Sequence, residues 1–462
     1  MSDLHIVILT AGQGTRMKSS MPKALHRVAG EPMVEHVLRS AAALSPATTT
    51  LVVGHGAEAI QARLADRRGL QFAMQVPQNG TAHALQQVEP LLAGQGGTLV
   101  LLSGDVPLLR AETVRRLLAT HQAAGAAATV MTAVVEQPYG YGRIIRTAGK
   151  IVGIVEERDA SPAQRQGCEI NSGIYAFDLP PLFDALRTIA ARNAQGEYYL
   201  TDLVAAYGRR RLPVETLIVG DPREVRGVNT RSELSEVSTI MRQKKNAELM
   251  TAGVTIVDPA TTYIDDEVEV GQDTVIHPGV LIQGRSKIGS ACEIHASVRI
   301  VESDIGDRVT VNNFCLILDS QVAGGATVGP FAHLRSATKI GEKAKIGNFV
   351  ELKKTTFGAG SKASHLSYLG DATIGTNVNV GAGTITCNYD GQKKHQTVIE
   401  DGAFIGSDSQ LIAPVRVGKG AYVGAGSSIT EDVPARALAV GRGRQANIEG
   451  WADRRKAVPT KT

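Results

Sequence analysis

Aromatic residues make up only 4% of this 462-residue chain, and tryptophan occurs once. That scarcity points to a core packed from small aliphatics rather than large rings. The four cysteines, Cys168, Cys292, Cys315 and Cys387, lie far apart, so no close pair forms a zinc or redox motif and reduced structural thiols are expected. Long hydrophobic runs are missing as well: no stretch approaches about eighteen consecutive apolar residues, which excludes a membrane-crossing helix. The opening MSDLHIVILTAG has a short apolar run and no basic flank, unlike a secretory signal. A formal net charge of +4 is too slight to imply nucleic-acid or membrane partners. These absences describe a cytoplasmic protein with no nucleic-acid partner and no membrane insertion, and leave small anionic substrates open.

What the chain does have is length and glycine. The length predicts two or three domains, and 49 glycines indicate many tight turns. Short apolar runs, such as His5 to Leu9, Thr50 to Val53, Thr98 to Leu102 and Thr129 to Val134, alternate with longer mixed segments. They predict an α/β domain over 1–229. Leu234, Val237 and Met241 at helical spacing, behind the pair Thr230 and Glu233, predict a capped linking helix over 230–252. From 253 to 462 an aliphatic residue returns every six positions: Val270, Ile276, Ile282, Ile288, Ile294 and Ile300, then Val322 to Leu352 and Ile399 to Ile429. This is a hexapeptide β-helix repeat, in which three short strands close one triangular coil. One medium aliphatic per side fills such a coil, so few aromatics are needed. The repeat breaks between Leu352 and Ile374 and between Val380 and Ile399. Both breaks are expected to leave the coil as loops carrying His365, Tyr368, Asn388 and Tyr389.

Two motifs in the first half carry chemistry. Leu9 to Met17, LTAGQGTRM, follows a predicted strand and leads on to Pro22 and Lys23. Amides of a glycine turn can face phosphate oxygens, with Arg16 and Lys23 supplying charge; Gly12-x-Gly14 alone is a weak signal that fits neither a dinucleotide fingerprint nor a P-loop. Asp105 ends the run TLVLL in Ser103-Gly104-Asp105, at the sheet edge where α/β proteins bind ligands. Its carboxylate can cap a loop or hold magnesium.

The glycine turn, Thr-Arg-Met and downstream Pro-Lys together resemble sugar-1-phosphate nucleotidylyltransferases. Nearly the whole chain resembles one family of these: the bacterial bifunctional N-acetylglucosamine-1-phosphate uridylyltransferase and glucosamine-1-phosphate acetyltransferase. The resemblance implies a Rossmann-like mixed-sheet nucleotidyltransferase domain followed by a left-handed parallel β-helix, a homotrimer, and synthesis of UDP-N-acetylglucosamine for peptidoglycan and lipopolysaccharide. It implies that Leu9, Ala11, Gly12, Gly14, Lys23, Gln75, Gly80, Thr81, Ser103, Gly104, Asp105, Gly142, Glu156, Asn171 and Asn229 bind UTP and the UDP-sugar. Asp105 and Asn229 would hold Mg2+, and Arg16 and Lys23 would stabilise triphosphate charge. In the second half it makes His365 the base, with Arg335 and Lys353 on the sugar phosphate and Tyr368 and Asn379 orienting the sugar. Ala382, Asn388, Tyr389, Ser407, Ala425 and Arg442 would line the acetyl-CoA site. Trp451 and Arg442 belong to an arm shared between subunits, and the other basic residues of the tail, through Lys461, are expected to be solvated. Thr10, Gln13, Asn79, Ser336 and Ala337 depart from the family pattern, and Gln13 removes a positive charge beside UTP. Two rival readings remain: a single-activity nucleotidylyltransferase with a non-catalytic β-helix, and a β-helix that only scaffolds.

Overall fold

The computed structural model describes residues 3–456, and only the backbone of Arg455 and Lys456; Lys461 lies outside the described residues. The chain divides into two compact units at Met241/Arg242.

The first unit is built on a mixed sheet. Its strands are β1 (Leu4–Leu9), β2 (Thr48–Val53), β3 (Leu70–Met74), β4 (Thr98–Ser103), β5 (Ala128–Val134), β6 (Arg143–Thr147), β7 (Lys150–Val155), β8 (Glu169–Asp178) and β9 (Val214–Ile218). The order is β9-β5-β8-β4-β1-β2-β3, with the β6–β7 ribbon attached to β8. Only β8 runs against its neighbours on this path, β4 and β5. Both faces are covered, which explains why β1 and β4 read as continuous apolar runs. Ile6, Ile8, Val100 and Leu102 enter one core, while Val7, Leu99 and Leu101 enter the other. The carboxyl ends of β1 and β4 lie side by side, with Leu9 opposite Ser103, so the glycine turn and Asp105 emerge at one edge.

Helix α1 (Arg231–Thr251) begins with the expected capping box. Thr230 Oγ1 accepts the Glu233 amide at 3.2 Å, and Glu233 Oε2 accepts the Thr230 amide at 2.8 Å. The same carboxylate also accepts the Asn229 amide at 2.7 Å, which ties Asn229 to the helix start. Val237 is buried beside Val28, Met33 and Val228, with Leu234 and Met241 packed against them.

In the second unit the short strands pair in parallel from coil to coil and form three sheets of 11, 10 and 9 strands. One apolar core runs from Leu249 to Val433, and the aliphatic residues that mark the hexads point into it. The first break in the repeat is not a loop. Phe357, Ala363 and Leu369 occupy the inward positions and are fully buried, so the coils continue through it. His365 ends the strand Lys362–His365, and Tyr368 begins the strand Tyr368–Gly370. An aliphatic-only pattern misses this coil because a ring and a methyl group fill two of its inward slots. At the second break Thr386 takes the inward position; the chain then leaves the coil in a small hairpin closed by the Tyr389–Lys394 bridge.

Candidate functional sites

In the first unit the glycine turn, the Gln75–Thr81 segment and the end of β4 enclose a cleft of about 510 Å³. Its lining includes Leu9, Ala11, Gly12, Gly14, Lys23, Gln75, Gly80, Thr81, Ser103, Gly104 and Asp105, and also Thr10, Gln78 and Glu197. Close approach makes two of the glycines necessary. Gly14 has φ +60°, and a methyl group on it would lie 2.9 Å from Lys23 Cβ. Gly80 has φ +105°, and a methyl group there would lie 2.6 Å from the Tyr198 carbonyl oxygen. Buried Gln75 donates from Nε2 to the Gly80 carbonyl at 3.0 Å, so the side chain expected to read a base also shapes the loop beside it. Arg16 is exposed on the one-turn helix Thr15–Met17 and is not part of the lining.

At the rim, the Lys23 ammonium donates to Asp105 Oδ2 and, at 3.0 Å, to Asn229 Oδ1. The Val228 amide donates to the Asp105 carbonyl at 2.9 Å, which fixes Gly227-Val228-Asn229 beside the end of β4. One carboxylate and one amide oxygen thus already flank a single cation, and hard oxygen donors of this kind suit a magnesium ion.

Gly142, Glu156 and Asn171 adjoin one another at the β6–β8 side. The Asn171 amide donates to the Gly142 carbonyl at 2.9 Å, and Asn171 Oδ1 accepts the Gly173 amide at 3.1 Å. A methyl group on Gly142 would lie 3.5 Å from the Glu156 carboxylate, and one on Gly173 would lie 3.5 Å from Ser103 Oγ. Burial pushes the Glu156 carboxyl above its usual range. This group joins the cleft through Ser103.

In the second unit the coil ladder assembles the polar residues. Arg335, Lys353 and Gly370 occupy one register position in successive coils. Arg335 Nε donates to Glu351 Oε1 at 2.7 Å, and Lys353 Nζ lies 3.5 Å from Asp371 Oδ2, which also accepts from Asn388 Nδ2. A methyl group on Gly370 would collide with the Tyr368 hydroxyl and with Asn388 Nδ2, so the glycine is what lets these two polar groups close over the column. Lys394, brought in by the hairpin, faces Lys353, and its hydrogen bond with that side chain, together with desolvation and the Lys353 charge, holds the Lys394 amine below the usual lysine range. Two facing ammonium groups mark a place where a dianion would relieve repulsion. Lys394, Asp371 and Glu351 were not anticipated from sequence, although the basic pair Lys393-Lys394 after CNYDG was a visible signal for the first.

His365 is exposed, and its Nδ1 is hydrogen bonded to Oδ1 of Asn348, its register partner in the preceding coil. A carboxamide oxygen carries no proton, so Nδ1–H is the donor, which in the neutral ring leaves the lone pair on Nε2. Further along the axis Gly381 abuts Ser407, Gly406 abuts Ala425, and the Ala425 carbonyl accepts from Arg442 Nη1 at 2.7 Å. Ala382, Ser407 and Ala425 therefore fall on one line of small residues. Asn379 pairs instead with Lys362 and Phe404, outside the Arg335–Lys353 column. Tyr389 is exposed, with its hydroxyl on the Gly391 carbonyl at 2.7 Å. Trp451 is exposed at the start of the helix Trp451–Lys456.

Known proteins share this two-part architecture. Residues 6–199 match the MobA-like NTP transferase domain, and residues 396–431 match the bacterial transferase hexapeptide repeat. The bifunctional protein GlmU of Pelobacter propionicus is 48% identical over 457 residues, covering 99% of this chain and 99% of that protein. The GlmU protein of Syntrophotalea carbinolica is 51% identical, covering 97% of each chain, and that of a Geobacillus species is 50% identical, covering 97% and 98%. The chain belongs to the GlmU family. As a GlmU it has uridylyltransferase and acetyltransferase activity in UDP-N-acetylglucosamine synthesis, and its second unit is a left-handed β-helix.

Proposed function

We propose that residues 1–229 carry the uridylyl transfer, that residues 253–462 carry the acetyl transfer, and that α1 within 230–252 links them. Acetylation of glucosamine 1-phosphate comes first, and its product then takes uridylyl from UTP with release of pyrophosphate. For uridylyl transfer the supporting observation is the Lys23 ammonium held between Asp105 and Asn229 at the mouth of the glycine-lined cleft. Bound Mg2+, held by Asp105 and Asn229, would neutralise phosphate charge there. Lys23 and Arg16 would stabilise the charge of the triphosphate, while the loops at Gly12–Gly14 and Gly80–Thr81 hold the nucleotide. Gln75 reads the uracil edge, and Gly142, Glu156 and Asn171 hold the sugar so that its phosphate oxygen faces the α-phosphorus. No protein nucleophile is needed, since alignment and charge stabilisation supply the catalysis.

For acetyl transfer, Arg335, Lys353 and Lys394 hold the sugar phosphate, with Tyr368 and Asn379 orienting the ring. Nε2 of His365 takes the proton released as the amine attacks the thioester carbonyl carbon, and the coenzyme A thiolate leaves. Asn388, Tyr389, Ala382, Ser407, Ala425 and Arg442 line the coenzyme side. Three copies assemble: Phe314, Phe331 and Phe349 form an exposed stack at 5.1 Å spacing, an apolar ridge of the kind a second copy covers. The arms bearing Arg442 and Trp451 then complete sites between neighbours. No described helix is long and apolar enough to cross a membrane, and we place the enzyme in the cytoplasm with UTP and acetyl-CoA. The test is mass spectrometry of a mixture of glucosamine 1-phosphate, acetyl-CoA, UTP and magnesium with single omissions. UDP-N-acetylglucosamine should form and should vanish without acetyl-CoA. Uridylylation of supplied N-acetylglucosamine 1-phosphate, without any acetylation of glucosamine 1-phosphate, would instead support the single-activity reading.

A further inference from the structure

The geometry points to a binding site for a borderline divalent transition-metal ion, zinc or nickel in chemical class, formed by His277, Glu293 and His295 on the outer surface of the early coils, away from the Arg335–Lys353 column. The ladder generates it. Val275 pairs with Glu293 and Ile276 with Ile294, so the next position places His277 over His295, and their rings stack 4.8 Å apart at 21°. Along one strand the outward side chains of Glu293 and His295 flank the inward Ile294. Glu293 Oε1 lies 3.3 Å from His277 Nε2 and 3.7 Å from His295 Nε2. Two ligands each bonded to zinc at about 2.0–2.1 Å in a tetrahedron are separated by about 3.3–3.4 Å, so two edges of the required triangle are nearly in place. All three ligand atoms lie within 4.8 Å of one another, and ring rotation closes the remaining edge.

The same ladder stacks Phe314 on Phe331 and Phe404 on Tyr422, so ring stacking by itself is generic to the coil. What distinguishes this place is the carboxylate within reach of both imidazoles. Both histidine side chains are about a quarter to a third exposed, at 30% and 27%, which leaves open positions for water. Two imidazoles and one carboxylate favour zinc, nickel or copper over the all-oxygen preference of magnesium. This proposal does not depend on the uridylyl or acetyl site assignments.

The experiment titrates ZnCl2 by calorimetry into full-length, chelator-stripped protein, the His277→Ala/His295→Ala double variant and Glu293→Gln. Wild type should bind one more zinc equivalent than the double variant, and Glu293→Gln should bind at this site about tenfold or more weakly. Other sites, such as the His395–Asp390 pair, are common to all three proteins and cancel. Cobalt should give a tetrahedral ligand-field absorption in wild type that is absent from the double variant, while both transferase activities stay unchanged. Equal zinc stoichiometry and equal cobalt spectra in wild type and a double variant with native circular dichroism would leave only an imidazole–carboxylate pair and overturn the assignment. If the double variant fails to fold, the Glu293→Gln titration decides: unchanged affinity overturns the site.

Discussion

Replacing Asn348 with alanine removes the acceptor that holds Nδ1–H of His365 and leaves the imidazole in place. A neutral hydrogen bond contributes about 0.5–1.5 kcal/mol net, which corresponds to about a 2- to 12-fold rate change at about 1.4 kcal/mol per tenfold. Deleting the base itself should cost about 10²- to 10⁴-fold. Because His365 is exposed, little packing restrains its ring once the carboxamide is gone, so the loss should sit toward the upper end of that smaller range. The assay follows coenzyme A thiol release with both substrates varied. Asn348 touches none of the expected phosphate ligands, so kcat should fall while KM for glucosamine 1-phosphate holds steady. A kcat within about twofold of wild type would remove Asn348 from any orienting role. A loss as deep as that of His365→Ala would show that an intact imidazole is not enough, and the division between base and orienter would fail.

Four further outcomes are expected. Asp105→Ala should abolish uridylylation and spare acetylation, and His365→Ala should do the reverse, as read by separate assays of each half reaction; loss of both activities in either folded variant would contradict the separation. Lys23→Met should tighten Mg2+ binding measured by calorimetry without UTP, because the ammonium occupies the metal oxygens, while uridylyl turnover falls. Gly80→Ala forces a methyl group to 2.6 Å from the Tyr198 carbonyl and should raise KM for UTP by at least about tenfold, with acetylation intact. For pH, the native state binds the Glu156 proton to a higher pH than the unfolded chain does, since burial raises that carboxyl. Its stabilising contribution is therefore full below the ordinary glutamate value of about 4.3 and is lost as pH rises through the raised one. Glu156→Gln should accordingly raise Tm by calorimetry more at about pH 7.5 than at about pH 4.

Periodicity and motif identity made the architecture legible in the sequence because both rest on local rules. An aliphatic every sixth residue can only point into a narrow coil, and an aspartate at the end of an apolar strand can only emerge at the sheet edge. The coil holding His365 reads as a loop in the sequence for an equally physical reason: inward space can be filled by Phe357 beside Ala363 as well as by two medium aliphatics, and no hexad pattern expresses that compensation. Contacts across the fold were harder to see. Lys23 meets partners 82 and 206 residues away, and Asn348 reaches His365 only because parallel register aligns residues 17 apart. Lys394 enters through a hairpin whose shape depends on its own closing bridge.

The ladder in the second unit also sets how such a protein can change length. Each coil is bonded only to the coil on either side, and the polar column depends on side chains returning to the same angular position after every turn. Coils of 17 and of 18 residues both keep this register, so a corner absorbs a single residue, and removing a complete turn ahead of Arg335 also leaves that column's internal alignment untouched. The chain can therefore change length by one residue at a corner or by a whole turn, while losses between these would break the column.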